Sequence, residues 1–187
     1  MTARKQTASL YAAAAALSMI ATSACADNPM VGGAPMYASK NIVENAVNSK
    51  DHTTLVAAVK AAGLVPTLSG AGPFTVLAPT NAAFAKLPAG TVDNLLKPEN
   101  KAQLTKILTC HVVGAEAFSK DIRKMVDDDK GAHPVKTVGG CTLTARYNGN
   151  KVTIQDENGN VANVTIADVD QSNGVIHVID TVLLPKM

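Results

Sequence analysis

Gly72-Pro73-Phe74-Thr75-Val76-Leu77-Ala78-Pro79-Thr80-Asn81-Ala82-Ala83-Phe84 compresses a strand, a corner and the start of a helix into one run. Phe74 to Leu77 is aromatic and β-branched and is opened by Gly-Pro, the pattern of a short buried strand. Pro79 closes that strand, because it has no N–H to give to a sheet ladder. Thr80 follows with a hydroxyl able to accept an unpaired amide of the first helical turn. The cap is incomplete, since the third residue on is Ala83, where a capping box needs Glu or Gln. Phe84 returns the helix to the core.

Upstream, Asn41 to Val47 is a short amphipathic helix with Ile42, Val43, Ala46 and Val47 on one face. Asp51 or Thr53 can cap the next helix, where Leu55, Val56, Val59 and Ala62 recur at helical spacing until Gly63 stops it. Leu64 to Leu68 leads into Ser69-Gly70-Ala71-Gly72. That glycine pair is a turn, because no nucleotide-binding unit surrounds it. Downstream, Leu87 to Gly90 is a turn, Thr91 can cap Val92 to Leu96, and Pro98 opens a helix reaching Leu108. Thr109 to Val113 switches to strand-like composition. Asp121 to Lys130, with Asp127-Asp128-Asp129 in a row, reads as a solvated helix end or loop. Three adjacent carboxylates lack the spaced oxygens of a calcium site.

From Val135 the pattern is β-rich, over Val135–Val138, Thr142–Tyr147, Lys151–Gln155, Val161–Ile166 and Val175–Leu184. Asn148-Gly149 and Asn158-Gly159 are hairpin signals of the type I′ kind. Asp156 to Asn160 is a turn whose glycine is misplaced for an EF-hand. Asn163-Val164-Thr165 spells a glycosylation sequon inside a strand. Helices crowd the first half and strands the second, which predicts an α+β fold with a largely antiparallel meander.

At the N-terminus, Arg4 and Lys5 precede an apolar run from Leu10 to Ile20 and the small residues Ala21 to Ala26, the layout of a secretory signal peptide. Two exits fit. Ala24-Cys25-Ala26 is an A-x-A site that releases a soluble chain, and Thr22-Ser23-Ala24-Cys25 resembles a lipoprotein box that would lipidate Cys25. The expected organisation is a leader over 1–26 (ending at 24 if lipidated), a flexible tether over 27–36 and one domain over 37–187. The only membrane contact expected is a lipid anchor at Cys25. Without Arg4 and Lys5, the 17 basic residues fall to 15, equal to the 15 acidic ones. That balance, with aromatics at only 3%, argues against nucleic-acid binding. Hydrophobic residues at 47% suffice for a sizeable core.

In an exported chain Cys110 and Cys141 are a candidate disulfide, closing a loop worth on the order of 3 kcal/mol. The alternative is a reactive thiol at Cys110 beside His111. His52, His111, His133 and His177 form no ligand-spaced cluster, so no metal is expected. His111 and His177 sit in apolar strand contexts and read as hydrogen-bonded holders of strand geometry. Asp180 reads as an acceptor of backbone amides near the Thr80–Asn81 corner. As a general base beside His177 it would lack a nucleophile, since no Gly-x-Ser-x-Gly elbow is present. Neither catalysis nor a cofactor is expected.

Phe74 to Phe84 resembles the first signature segment of fasciclin domains, and Asn173-Gly174-Val175-Ile176-His177-Val178-Ile179-Asp180-Thr181-Val182-Leu183-Leu184-Pro185 resembles the second. Leu104 to Val113 is similar to the segment where family members carry Tyr-His. The likeness runs from Tyr37 to Pro185. It implies a β-wedge of about seven strands with a helical cluster mainly from the N-terminal half. The two segments are expected to lie side by side in the core. The likeness also implies a secreted, periplasmic or surface-attached module for cell adhesion or matrix binding, with a cell-surface or matrix protein or glycan as partner. Asp168 matches the Asp of the family's Asp-Ile integrin pair, with Val169 in place of Ile. His111 matches the His of Tyr-His, with Cys110 in place of Tyr. The alternative reading is a binder of a small lipid or saccharide in the groove between helices and wedge.

Overall fold

The computed structural model describes residues 28–186. Met30–Val31 (β1) and Ala34–Pro35 (β2) form a small antiparallel hairpin. Four helices follow the chain around the opening motif: Ile42–Ala46 (α1), Thr53–Ala62 (α2), Val65–Leu68 (α3) and, after strand Phe74–Pro79 (β3), Asn81–Ala85 (α4). Thr91–Leu95 (α5) and Lys101–Thr109 (α6) lead to Val112–Val113 (β4). Ser119–Asp128 (α7) precedes the meander His133–Lys136 (β5), Thr142–Asn148 (β6), Lys151–Gln155 (β7), Val161–Gln171 (β8) and Gly174–Ile179 (β9).

The larger sheet has seven strands in the order β4-β3-β9-β8-β7-β6-β5. The expected meander is antiparallel from β5 to β9, and one parallel pair joins it to the first half. β3 runs alongside β9 with Phe74 opposite Gly174 and Pro79 opposite Ile179. The two signature segments are therefore adjacent strands. Both are covered on each face. Val76, Ala78, Ile176 and Val178 pack into a core shared with α1, α2 and α6, and Leu77 and Ile179 pack into a second core enclosed by α7 and β6–β8. Burial on two faces explains why these strands read as continuous apolar runs, whereas β6 alternates Leu143 and Ala145 inward with more exposed neighbours.

The β3–β9 seam begins at a point with no room for side chains. A Cβ on Gly174, whose φ is +149°, would lie 2.0 Å from the Phe74 carbonyl oxygen, and one on Gly72 would lie 2.0 Å from that of Asn173. The Asn173 side chain ties the junction together. Its Oδ1 accepts from the Ile42 N–H at 3.0 Å, and its Nδ2 donates to the Leu68 and Gly70 carbonyls, both at 2.9 Å.

The sheet closes on itself at one end only. The Val138 N–H donates to the Val112 carbonyl at 2.8 Å, and the Gly139 N–H to that of Thr109 at 2.9 Å. Cys110 and Cys141 are disulfide-bonded there, with a Cα–Cα distance of 5.5 Å. Beyond Val113 the chain leaves strand geometry, so β4 and β5 part.

Several local readings need correction. The described part of the 27–36 stretch is not a tether, because Val31 and Met36 are buried in the helix-side core and the Gly32 carbonyl accepts from the Lys50 N–H at 3.2 Å. Its closely spaced Gly and Pro make a tight hairpin. Neither Asp51 nor Thr53 caps α2, and Val47, which follows the end of α1, is exposed. Thr109 ends a helix rather than starting a strand. Asn148 pairs with Lys151 in the ladder, so Gly149, at φ +61°, takes the first position of a two-residue turn. That places glycine as a type II′ turn requires. The 1–26 leader and Cys25 lie outside the described residues.

Candidate functional site

Strand β8 loses register with β9 between Ile166 and Val169. Asp168 sits in that irregularity with φ at +59°, a conformation unusual for a residue with a Cβ. Such a residue persists only when its surroundings over-determine it, and three contacts do so. The Asp168 N–H donates to His177 Nδ1 at 3.3 Å. The carboxylate accepts from the Ser119 N–H at 2.6 Å and from the Ser119 hydroxyl. His177 in turn donates through Nε2 to the Ala117 carbonyl at 2.8 Å.

His177 is fully buried. With Nδ1 accepting and Nε2 donating, it is a neutral imidazole bridging the bulge to the segment before α7. Burial lowers its pKa, opposed by the Ala117 carbonyl and the Asp168 charge. It holds backbone geometry and does not face Asp180. Asp180 instead accepts from the Asn163 backbone N–H at 2.8 Å and the Asn163 Nδ2 at 2.9 Å. Partial burial would raise its pKa, but the Asn163 and Thr181 hydrogen bonds and the Lys86 charge together hold it low. Lys86 also donates to the Asp180 carbonyl at 2.7 Å, tying α4 to the end of β9.

Two residues expected to face a partner are corrected. Val169 is fully buried, because the register shift that turns Asp168 outward turns its neighbour into the core. His111 is also buried. Its Nδ1 donates to the Ile107 carbonyl at 2.8 Å and its Nε2 accepts from the Leu183 N–H at 3.0 Å. Burial brings its pKa down to about 4, against the opposing Ile107 carbonyl and Asp156 charge. Like His177 it is a neutral clamp, with the opposite tautomer. Of the three candidate binding residues only Asp168 is exposed.

The remaining motif residues are structural. The Thr80 hydroxyl accepts from the Ala83 N–H at 3.2 Å, and Phe84 is buried, as is Pro79 at the end of β3. Phe74 is partly buried against the helix-side core. Asn81 carries more than its position suggests. Its Oδ1 accepts from the Thr54 N–H at 3.0 Å and its Nδ2 donates to the Lys50 carbonyl at 2.9 Å. It supplies from α4 the N-terminal cap that α2 lacks.

Beside Asp168 lies an open groove of about 410 Å³. Lys120 and Arg123 project from α7, Lys151 from the β6–β7 hairpin, and Tyr147 forms part of the wall. The Arg123 guanidinium stands 4.7 Å from the Tyr147 ring centroid, a cation–π distance, and donates to Asn150 Oδ1 at 2.9 Å. The Tyr147 hydroxyl donates to the Ser119 carbonyl at 2.6 Å. The same α7 N-terminal turn thus braces both the groove and the Asp168 corner. The signal for this groove is the i, i+3, i+4 spacing of Lys120, Arg123 and Lys124, a basic stripe visible only once the segment is read as helix. By contrast, the space between the helices and the sheet, where the alternative reading puts a small ligand, is about 40 Å³, little more than one water's share of the liquid.

A seven-stranded mixed sheet, nearly closed, with a helical cluster against one end and two signature strands paired next to its β4 edge, defines a fasciclin-type α+β wedge. The fasciclin-domain family profile matches residues 50–185, and the chain belongs to that family. It is 49% identical over 158 residues to protein sll1483 of Synechocystis sp., covering 84% of this chain and 81% of that one. It is 39% identical over 122 residues to the cell surface glycolipoprotein MPB83 of Mycobacterium bovis, covering 65% of this chain and 48% of the relative. Among solved structures it is similar to the FAS1 domain pair of the insect cell adhesion molecule fasciclin I, with a TM-score of 0.53 at 25% identity, covering 67% of this chain and 42% of that one.

Proposed function

We propose that this chain is a non-catalytic adhesion module that is exported and presents the Asp168 corner and its adjoining basic groove to a cell-surface or matrix partner bearing acidic groups. The observation that carries this is the groove itself. Lys120, Arg123 and Lys151 converge from two elements on an open concavity beside an Asp held in a strained, over-determined conformation. Charge gathered on a solvated concave face increases encounter with an oppositely charged partner. The kinship with a cell adhesion molecule and a cell surface glycolipoprotein supports the same reading. No helix among the described residues is long and apolar enough to cross a membrane, and the leader reading makes export the route to the surface.

The test is a coated-surface assay with the mature protein. Cells or envelope matrix from the native source should be retained, and raising ionic strength should weaken retention, because exposed charges are screened. Asp168→Ala should reduce it by loosening the corner. No retention at micromolar coating density contradicts the proposal.

A further inference from the structure

The parting of β4 and β5 leaves a second concavity, unrelated to the adhesion face. It is a cleft of about 250 Å³ between the two sheet edges, floored by the inner core and flanked by α7. Exposure is graded along it. Leu77, Leu143, Ala145 and Ile154 at the bottom are buried, Val113, Met125 and Val135 on the walls are partly buried, and Ala115, Glu116 and Lys136 at the mouth are exposed.

We propose that this cleft binds a medium-chain fatty acid, tail inward, with its carboxylate at the Lys136 ammonium. The interior chemistry selects an aliphatic chain. Its one buried polar side chain, Thr75, is already engaged, donating to the Ala115 carbonyl at 2.6 Å and accepting from the Ala117 N–H at 2.9 Å. A saccharide placed here would bury hydroxyls without partners, which is costly, whereas an apolar chain leaves nothing unpaired. The volume, several times a water's roughly 30 Å³ share of the liquid, has room for a short aliphatic chain. The mouth chemistry sets the head group. Lys136 makes no ion pair among the described residues, while His133 beside it is bonded to Asp129 at 2.7 Å and so is already matched. Glu116 stands at the mouth as well, and its negative charge opposes any anionic head group, a dianionic phosphate more than a monocarboxylate.

The experiment is calorimetric titration of the full mature chain with hexanoate, octanoate, decanoate and dodecanoate, with decanol as the uncharged control. Each buried methylene should tighten binding about fourfold, and the gain should level off within the series as the cleft fills. Lys136→Glu should weaken decanoate by about fivefold, the scale of an exposed ion pair, and leave decanol unchanged. Ala115→Trp should block both ligands from the mouth. Absence of decanoate binding at millimolar concentration overturns the proposal. So does affinity that climbs without levelling, which is surface adsorption, or a Lys136→Glu variant that binds decanoate as the parent does.

Discussion

The β3–β9 seam and the β4–β5 gap are built from the same sheet and behave as opposites. At the seam the strands are parallel, buried on both faces and so close that Gly174 has no space for a Cβ. At the gap two edges meet through a disulfide and the hydrogen bonds beside it, then diverge around an apolar cleft. The seam spends its residues on fixing geometry, and the open regions inherit that geometry for use. The basic groove beside Asp168 belongs with the gap in this respect, since its side chains are exposed while the bulge that orients it is anchored to β9 through His177.

The sharpest way to break this contrast is at the seam. Gly174→Val sets a branched side chain where a single Cβ is already impossible, and should cost about 4 kcal/mol or more, or abolish folding. Denaturant unfolding checks it.

Acid should act next. His111 has a folded pKa of about 4 against an ordinary 6.5. As pH falls below 6.5 the unfolded chain takes up this proton first, so the stability is complete above 6.5, declines as pH drops towards 4, and is not lost further below that. The depth is about 3 kcal/mol from this residue. His52 and His177 are lowered by burial too and slope the same way. Unfolding midpoints measured from pH 7 to pH 4 should fall steadily, and His111→Gln should flatten part of that slope.

At the gap, Cys110→Ser with Cys141→Ser should cost on the order of 3 kcal/mol by restoring loop entropy to the unfolded chain. Fatty-acid affinity should fall with it, since the disulfide fastens the closed end of the cleft. The smallest effect belongs to the corner after the seam. Thr80→Ala removes one cap and should cost about 1 kcal/mol.

Legibility in the sequence followed the same division. Phe74–Phe84 and Asn173–Pro185 were readable because backbone constraints act locally there. Gly-Pro, Pro-Thr and Asn-Gly each permit few conformations, and a doubly buried strand has a plain apolar spelling. His111 and His177 were rightly read as clamps from their apolar surroundings. Reading Val169 as partner-facing failed because which side of a strand a residue faces depends on register, and the β8 bulge changes register without a glycine or proline to mark it. Reading His111 so failed because it sits in the turn after α6, where its ring is drawn inward by Ile107 and the distant Leu183. The N-terminal hairpin was missed for the opposite reason, since closely spaced Gly and Pro are shared by linkers and tight turns. Its Val31 and Met36 find burial only through contacts with distant helices. The groove and the cleft combine α7 with strands far along the chain, so no local window contained either.

The central claim is that binding resides on the open basic face and not on the clamped seam. Arg123→Glu with Lys151→Glu changes two exposed side chains, and losing the Arg123 contacts with the Tyr147 ring and Asn150 should cost about 1–2 kcal/mol while leaving the variant folded. Retention of native-source cells on surfaces coated with this variant and with the parent, at equal density, tests the claim most directly. The account predicts that the folded variant loses most of the retention. Retention equal to the parent's would contradict it.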